Sequence, residues 1–114
     1  MAPPTAGGVV LVPFPFSDLS QSKLRPAVVL AAAGRDDYIL CQVTSNPYAD
    51  SLAVELTQSA FASGSLQRTS YARPGKLFTA HVSLVRAQVG ALTRPAFRTV
   101  VERVVQLLQP GTSS

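Results

Sequence analysis

Apolar positions come in short β-branched bursts along most of this chain and at helical spacing only near its end. Residues 9–12 are apolar and β-branched, and Pro13 and Pro15 then interrupt regular pairing, so a first strand is expected to end there. Residues 26–33 and 38–44 are two apolar runs joined by Gly34-Arg35-Asp36-Asp37, a hairpin pattern. Their unbroken hydrophobicity predicts central strands. Asn46 and Pro47 break the second run. Further strands are expected over 52–56, 70–79 and 88–92, with a short helical turn around 82–86. The stretch 57–67 reads as a turn with at most one helical turn. Thr93 is a good helix N-cap, and Pro95 falls where its missing N–H does no harm. Phe97, Val100, Val101, Val104 and Leu108 then share one helical face, and Pro110-Gly111 ends the helix. Strands first and a closing helix predict a mostly β (α+β) domain, a small antiparallel barrel or sheet with a helix packed on it.

Composition supports that picture. The chain has 114 residues, 46% of them hydrophobic and 14% charged, which suits one packed domain and excludes a disordered polymer. The apolar surplus points to a second copy covering part of the surface. No run approaches the roughly 18 apolar residues that span a bilayer. The N-terminus carries neither a basic residue nor an apolar stretch of the secretory type. One cysteine, Cys41, allows no internal disulfide and reads as a small buried hydrophobe. Cytoplasmic residence is the default expectation. The ends, 1–7 and 110–114, read as flexible flanks of a domain at 8–109. The segment 14–24 is polar and reads as a loop of about a dozen residues, a length that is usually either functional or disordered.

Charge changes the picture next. Ten Lys+Arg against six Asp+Glu give a formal net charge of +4, which favours a polyanionic partner. One His, one Cys and scattered acids form no metal-ligand spacing, and no Gly-rich phosphate loop or nucleophile elbow is present. His81 reads as a surface or packing residue. Arginine and hydroxyl chemistry remain. If 26–33 and 38–44 pair as a hairpin, Arg25 and Thr44/Ser45 lie at one rim of the sheet. There a guanidinium and a hydroxyl form a phosphate cradle. The plainer reading is an edge charge beside a strand-end cap. Tyr71, Arg73 and Lys76 are either a clamp for an unpaired base and its backbone or a basic turn.

Several stretches resemble the MazF/PemK toxins. Gly8-Val9-Val10-Leu11-Val12-Pro13-Phe14-Pro15-Phe16-Ser17-Asp18 looks like their opening strand and loop, and Lys23-Leu24-Arg25-Pro26-Ala27-Val28-Val29-Leu30 like their second strand. Cys41-Gln42-Val43-Thr44-Ser45 is similar to their strand ending in Thr-Ser. Gly64-Ser65-Leu66 and Ser70-Tyr71-Ala72-Arg73-Pro74-Gly75-Lys76-Leu77 are similar to a later strand. Val89-Gly90-Ala91-Leu92 precedes the helix as in the family. The motifs are short, but their order and spacing cover nearly the whole chain.

The resemblance implies an SH3-like barrel with a C-terminal helix, a homodimer, and the toxin of a type II toxin–antitoxin pair. The implied activity is a metal-independent, sequence-specific endoribonuclease on single-stranded RNA, with no cofactor, blocked by a separate antitoxin protein. The family's key arginine maps to Arg25 and its key threonine to Thr44. Phe16, Ser17, Lys23, Ser45, Tyr71, Arg73 and Lys76 are the expected substrate contacts. Two departures stand out. Gly7-Gly8 replaces a common Gly-Asp opening, and Gly75-Lys76 stands where some members carry an acid. A mechanism using that acid as a base therefore does not transfer. The alternatives are a same-fold toxin of the CcdB type, which poisons DNA gyrase, and a non-catalytic RNA-binding module.

Overall fold

The computed structural model describes residues 3–15 and 22–111. Seven strands form one sheet: β1 (Gly8–Pro15), β2 (Ser22–Gly34), β3 (Asp37–Thr44), β4 (Val54–Leu56), β5 (Phe61–Gly64), β6 (Ser70–His81) and β7 (Ala87–Leu92). Helix α1 (Arg94–Leu108) closes the chain, and short 3-10 turns occupy Gln58–Ala60 and Val82–Leu84. The sheet order is β4-β6-β3-β2-β1-β7-β5, all neighbours antiparallel, curled into a nearly closed SH3-like barrel.

The unbroken apolar runs have a simple cause: the central strands bury both faces. Val9, Val28, Cys41, Val43 and Ala72 point into one cluster, which α1 joins through Val100. The alternate positions Val10, Val12, Ala27, Val29 and Leu40 form a second cluster, packed by Phe14, Tyr38, Phe78 and Val85. The hairpin turn is a two-residue one, with Arg35 (φ 55°) and Asp36 (φ 65°) both left-handed and Gly34 paired to Asp37. That geometry matches the right-handed twist of the strands it joins.

The structure departs from the sequence reading at four places. β1 does not stop at Pro13 but stays paired with β2 through Pro15. Its other neighbour, β7, pairs only as far as Leu11, so the prolines fall where β1 has become an edge and an absent N–H costs nothing. Phe14, Lys23 and Leu24 are consequently strand residues, and residues 16–21 of the expected loop lie outside the described residues. β5 falls within the stretch read as a turn; its Ala-Ser-Gly composition hides a strand that exists because it pairs with β7. Gly64 (φ 66°) faces Gly90 there, and a Cβ on Gly64 would lie 2.1 Å from the Val89 carbonyl oxygen. Finally, Leu108, expected on the buried helical stripe, is 68% exposed in the last turn of the helix. Its start is as expected: Thr93 Oγ1 accepts from Ala96 N at 3.2 Å, and Val100 and Val104 are buried.

Before β1 the chain is bound into the barrel. Gly7 N donates to Val29 O at 2.8 Å, and Gly7 O accepts from Leu92 N at 2.8 Å.

Candidate nucleic-acid interface

Strand alternation builds the site. Val43 and Ala72 face the first cluster, so Gln42 and Thr44 on β3, and Tyr71 and Arg73 on β6, face the other way. Arg25 is the cross-strand partner of Val12, which belongs to the second cluster. Continuing the Ala27↔Gln42 register of β2 and β3 by two residues sets Arg25 opposite Thr44. One sheet face thus carries apolar side chains at one end and Arg25, Gln42, Thr44, Tyr71 and Arg73 at the other.

Two cavities on this face and a third that reaches round its rim share walls. The first, about 350 Å³, is lined by Pro13, Phe14, Gln42, Lys76, Leu77 and Phe78. Phe14 and Phe78 meet edge-on there, with centroids 4.7 Å apart. The second, about 240 Å³, continues past Phe14, Gln42 and Lys76 to Arg73, Tyr48, Arg25 and Thr44. The third, about 600 Å³, starts from Arg25, Val43 and Thr44 and extends to Ser45, Ser65, Leu66, Gln67, Arg68 and Ser70. Arg25 and Thr44 therefore stand where the second and third cavities meet. Among the described residues lining the three, four are bases (Arg25, Arg68, Arg73 and Lys76) and none is an acid. A groove with one sign of charge and low-dielectric walls concentrates a polyanion.

The loop after β3 arms the centre of the groove. Asn46 N donates to Thr44 Oγ1 at 3.2 Å, which engages one lone pair of the hydroxyl and leaves its O–H as a donor. Asn46 Oδ1 accepts from Tyr48 N at 2.9 Å, and Asp50 Oδ1 accepts from Leu52 N at 2.9 Å. The other carboxylate oxygen of Asp50 takes Arg73 Nε at 3.3 Å. The Arg73 guanidinium lies over the Tyr48 ring, 5.2 Å from its centroid.

Of the residues singled out in the sequence, Arg25, Thr44, Ser45, Arg73 and Lys76 line the connected cavities. Tyr71 is half-buried on the same face, the cross-strand partner of Thr44, and lines none of the three. Lys23 is exposed on β2 opposite Phe14, and Phe16 and Ser17 lie outside the described residues. Sequence reasoning missed Gln42, Tyr48, Asp50, Gln67 and Arg68. Gln42 was legible, since it alternates with Cys41 and Val43. Tyr48 and Asp50 offered only an aromatic and an acid amid turn residues.

Cys41 is fully buried, and its Sγ donates to Arg73 O at 3.2 Å. Burial, the main cause, with a smaller push from Asp50, raises the thiol to about 12. It is a packing residue behind the groove. His81 is exposed and accepts from Ser83 N at 3.1 Å, capping the turn that follows β6. Among the described residues no group of three His, Cys, Asp or Glu is placed to hold a metal ion. No described helix is long and apolar enough to cross a membrane.

A curled antiparallel barrel with one C-terminal helix is the fold of a class of small toxins. The chain belongs to the PemK-like, MazF-like toxins of type II toxin–antitoxin systems, whose family model matches residues 5–108. A MazE–MazF complex from Deinococcus radiodurans is similar in structure, with a TM-score of 0.75 and 23% identity over 99% of this chain and 100% of the other. An endoribonuclease in complex with its cognate antitoxin, from a mycobacterial species, has a TM-score of 0.70 at 15% identity over 95% of each chain. The Mycobacterium tuberculosis toxin MazF-mt6 has a TM-score of 0.65 at 14% identity over 87% of this chain and 95% of the other. A search of curated proteins by sequence finds no match.

Proposed function

We propose that this chain is the endoribonuclease toxin of its toxin–antitoxin pair and cuts single-stranded RNA at short sequences without a metal ion. The observation that carries the reading is the juxtaposition of Arg25 and Thr44 where two cavities of a groove lined by four bases and no acid meet. An RNA strand laid along it would place one phosphate between a guanidinium and a hydroxyl donor, with nucleosides to either side. The 2′-oxygen attacks phosphorus as its proton leaves, the P–O5′ bond breaks, and the departing 5′-oxygen takes up a proton. The products are a 2′,3′-cyclic phosphate and a 5′-hydroxyl. Arg25 stabilises the charge that builds on the non-bridging oxygens, and Thr44 donates to one of them. A guanidinium does not give up its proton readily, so its contribution is electrostatic. Arg73 and Lys76 hold the backbone, with Ser45 beside Thr44.

The partners follow from the same surfaces. A cognate antitoxin would compete with RNA by laying an acidic segment in the groove. A symmetric homodimer would cover apolar side chains left exposed on the single chain, such as Leu24, Val105, Leu107 and Leu108. Sedimentation at micromolar concentration should then give twice the 12.0 kDa monomer mass. The deciding test is incubation with RNA in excess EDTA, wild type against Arg25→Ala. Wild type should cut and leave cyclic phosphate ends, and the variant should bind and barely cut. Strict dependence on added Mg²⁺ overturns the metal-free reading. Binding without cleavage by wild type points to the non-catalytic module, and no effect on RNA with inhibition of gyrase to the CcdB-type reading.

A further inference from the structure

The nuclease reading assigns phosphates to Arg25, Thr44, Arg73 and Lys76 but gives no face to a base beside them. Tyr48 supplies one. The residue is 63% exposed, yet its backbone and its ring both have fixed partners. The backbone at Tyr48 (φ 55°) and Ala49 (φ 59°) is left-handed at two consecutive non-glycine residues. Such a conformation costs free energy and persists only where surrounding bonds fix it. Here the Asn46 side chain holds Tyr48 N and the Asp50 side chain holds Leu52 N, both at 2.9 Å. The Arg73 guanidinium covers one face of the ring, and Asp50 fixes that guanidinium by its contact with Nε. Tyr48 lines the same cavity as Arg25 and Thr44. Since one wall of that cavity carries the phosphate donors, a base turned out from an adjacent nucleotide reaches the ring.

We propose that Tyr48 is the stacking platform for the nucleobase next to the scissile phosphate, and that Asp50 is a positioning residue that sets this platform through Arg73. The inference rests on the nuclease reading above and deepens it. A ring already immobilised loses little conformational freedom on stacking, so most of the contact energy appears as affinity. Every base has a π-face, so the platform tolerates sequence, and the choice of base falls to neighbouring polar groups. Gln42 and Lys76 line that cavity too.

The test uses a short single-stranded RNA that wild type cuts, made with a 2′-O-methyl group at the cleaved nucleotide so that it binds intact. 2-Aminopurine is placed at each position around that bond in turn, because its fluorescence is quenched on stacking against an aromatic ring. Wild type should quench the probe strongly at one flanking position. Tyr48→Ala should lose that quenching and roughly 5- to 150-fold in affinity, the range of one base–aromatic stack. Tyr48→Phe should keep both. Asp50→Asn removes a negative charge beside Arg73, at the margin of the groove, while leaving an oxygen for Leu52 N. A bystander acid, once neutralised, would leave quenching intact and raise RNA affinity. A positioning residue predicts weaker quenching even though the groove is more positive, with partial rescue by Asp50→Glu. If wild type cuts RNA but Tyr48→Ala matches it in affinity and in quenching at every position, the platform is wrong and the nuclease stands. If wild type neither binds nor cuts RNA, both fall together.

Discussion

Replacing Thr44 by valine isolates one hydroxyl at the centre of the groove, and its effects on rate and stability are expected to be unequal. Valine keeps the branched shape and strand preference of threonine, so β3 should form as before. The hydroxyl accepts one exposed hydrogen bond, from Asn46 N at 3.2 Å. Water can take its place, so the stability loss should stay near 0.5–1 kcal/mol. For a domain of this size that lowers Tm by a few degrees. With 5–15 kcal/mol of typical stability, essentially all of the variant remains folded at 25 °C. If Thr44 donates to the charge developing on the phosphorane, its loss should lower the cleavage rate by about 10²–10³, or roughly 2.7–4 kcal/mol of barrier. The assay is single-turnover cleavage of one short RNA at saturating protein, alongside equilibrium binding and a thermal melt. Thr44→Ser restores the donor and should recover most of the rate. A Thr44→Val protein that cuts within about threefold of wild type refutes the assignment. So does one whose affinity falls as far as its rate, since that hydroxyl would then serve binding alone.

Arg73→Ala and Lys76→Ala should weaken RNA binding and each flatten the plot of log K against log salt by roughly one charge, while keeping much of the rate at saturating RNA; a dead Arg73→Ala with normal affinity reverses its role with that of Arg25. Arg68→Ala should lower affinity in the same salt-dependent way for RNAs long enough to enter the third cavity, and leave shorter ones unaffected. Gly64→Ala forces a Cβ against Val89 O at a left-handed position, so the melt should fall by tens of degrees or expression should fail; a near-native Tm would show that β5 can shift. Cys41 links stability to alkaline pH. Its thiol rises from 9.0 to about 12 on folding, so its contribution is fully present below about pH 9 and is lost as pH climbs towards 12. The full gap is worth on the order of 4 kcal/mol, and the difference in Tm between wild type and Cys41→Ala should shrink across that window; a constant difference contradicts it.

The parts of this molecule that could be read in its sequence are those where local pattern and tertiary context agree. The hairpin around Arg35-Asp36 and the helix begun by Thr93 are fixed by neighbours a few residues away, and both stand where expected. The proximity of Arg25 and Thr44, which line the same two cavities, was legible because one hairpin carries both. β5 was not, because Phe61–Gly64 has no strand signal of its own and exists through a partner nearly thirty residues later. The prolines of β1 misled for a related reason: whether a missing N–H matters depends on which side of the strand has lost its neighbour. Tyr48 and Asp50 escaped notice because their importance lies in what Arg73 does between them, and Arg73 is more than twenty residues away.

The barrel is almost closed, and the two strands that end its sheet are short. The strands at the two ends of the sheet, β4 and β5, are three and four residues long. An unpaired strand edge is a template on which another molecule can lay a strand, the first step towards fibrils. β4 and β5 are each too short to hold a guest strand well, and Gly64 ends β5 in a conformation an extended guest cannot follow. At the two ends of the sheet, a second molecule finds little backbone on which to begin a strand of its own.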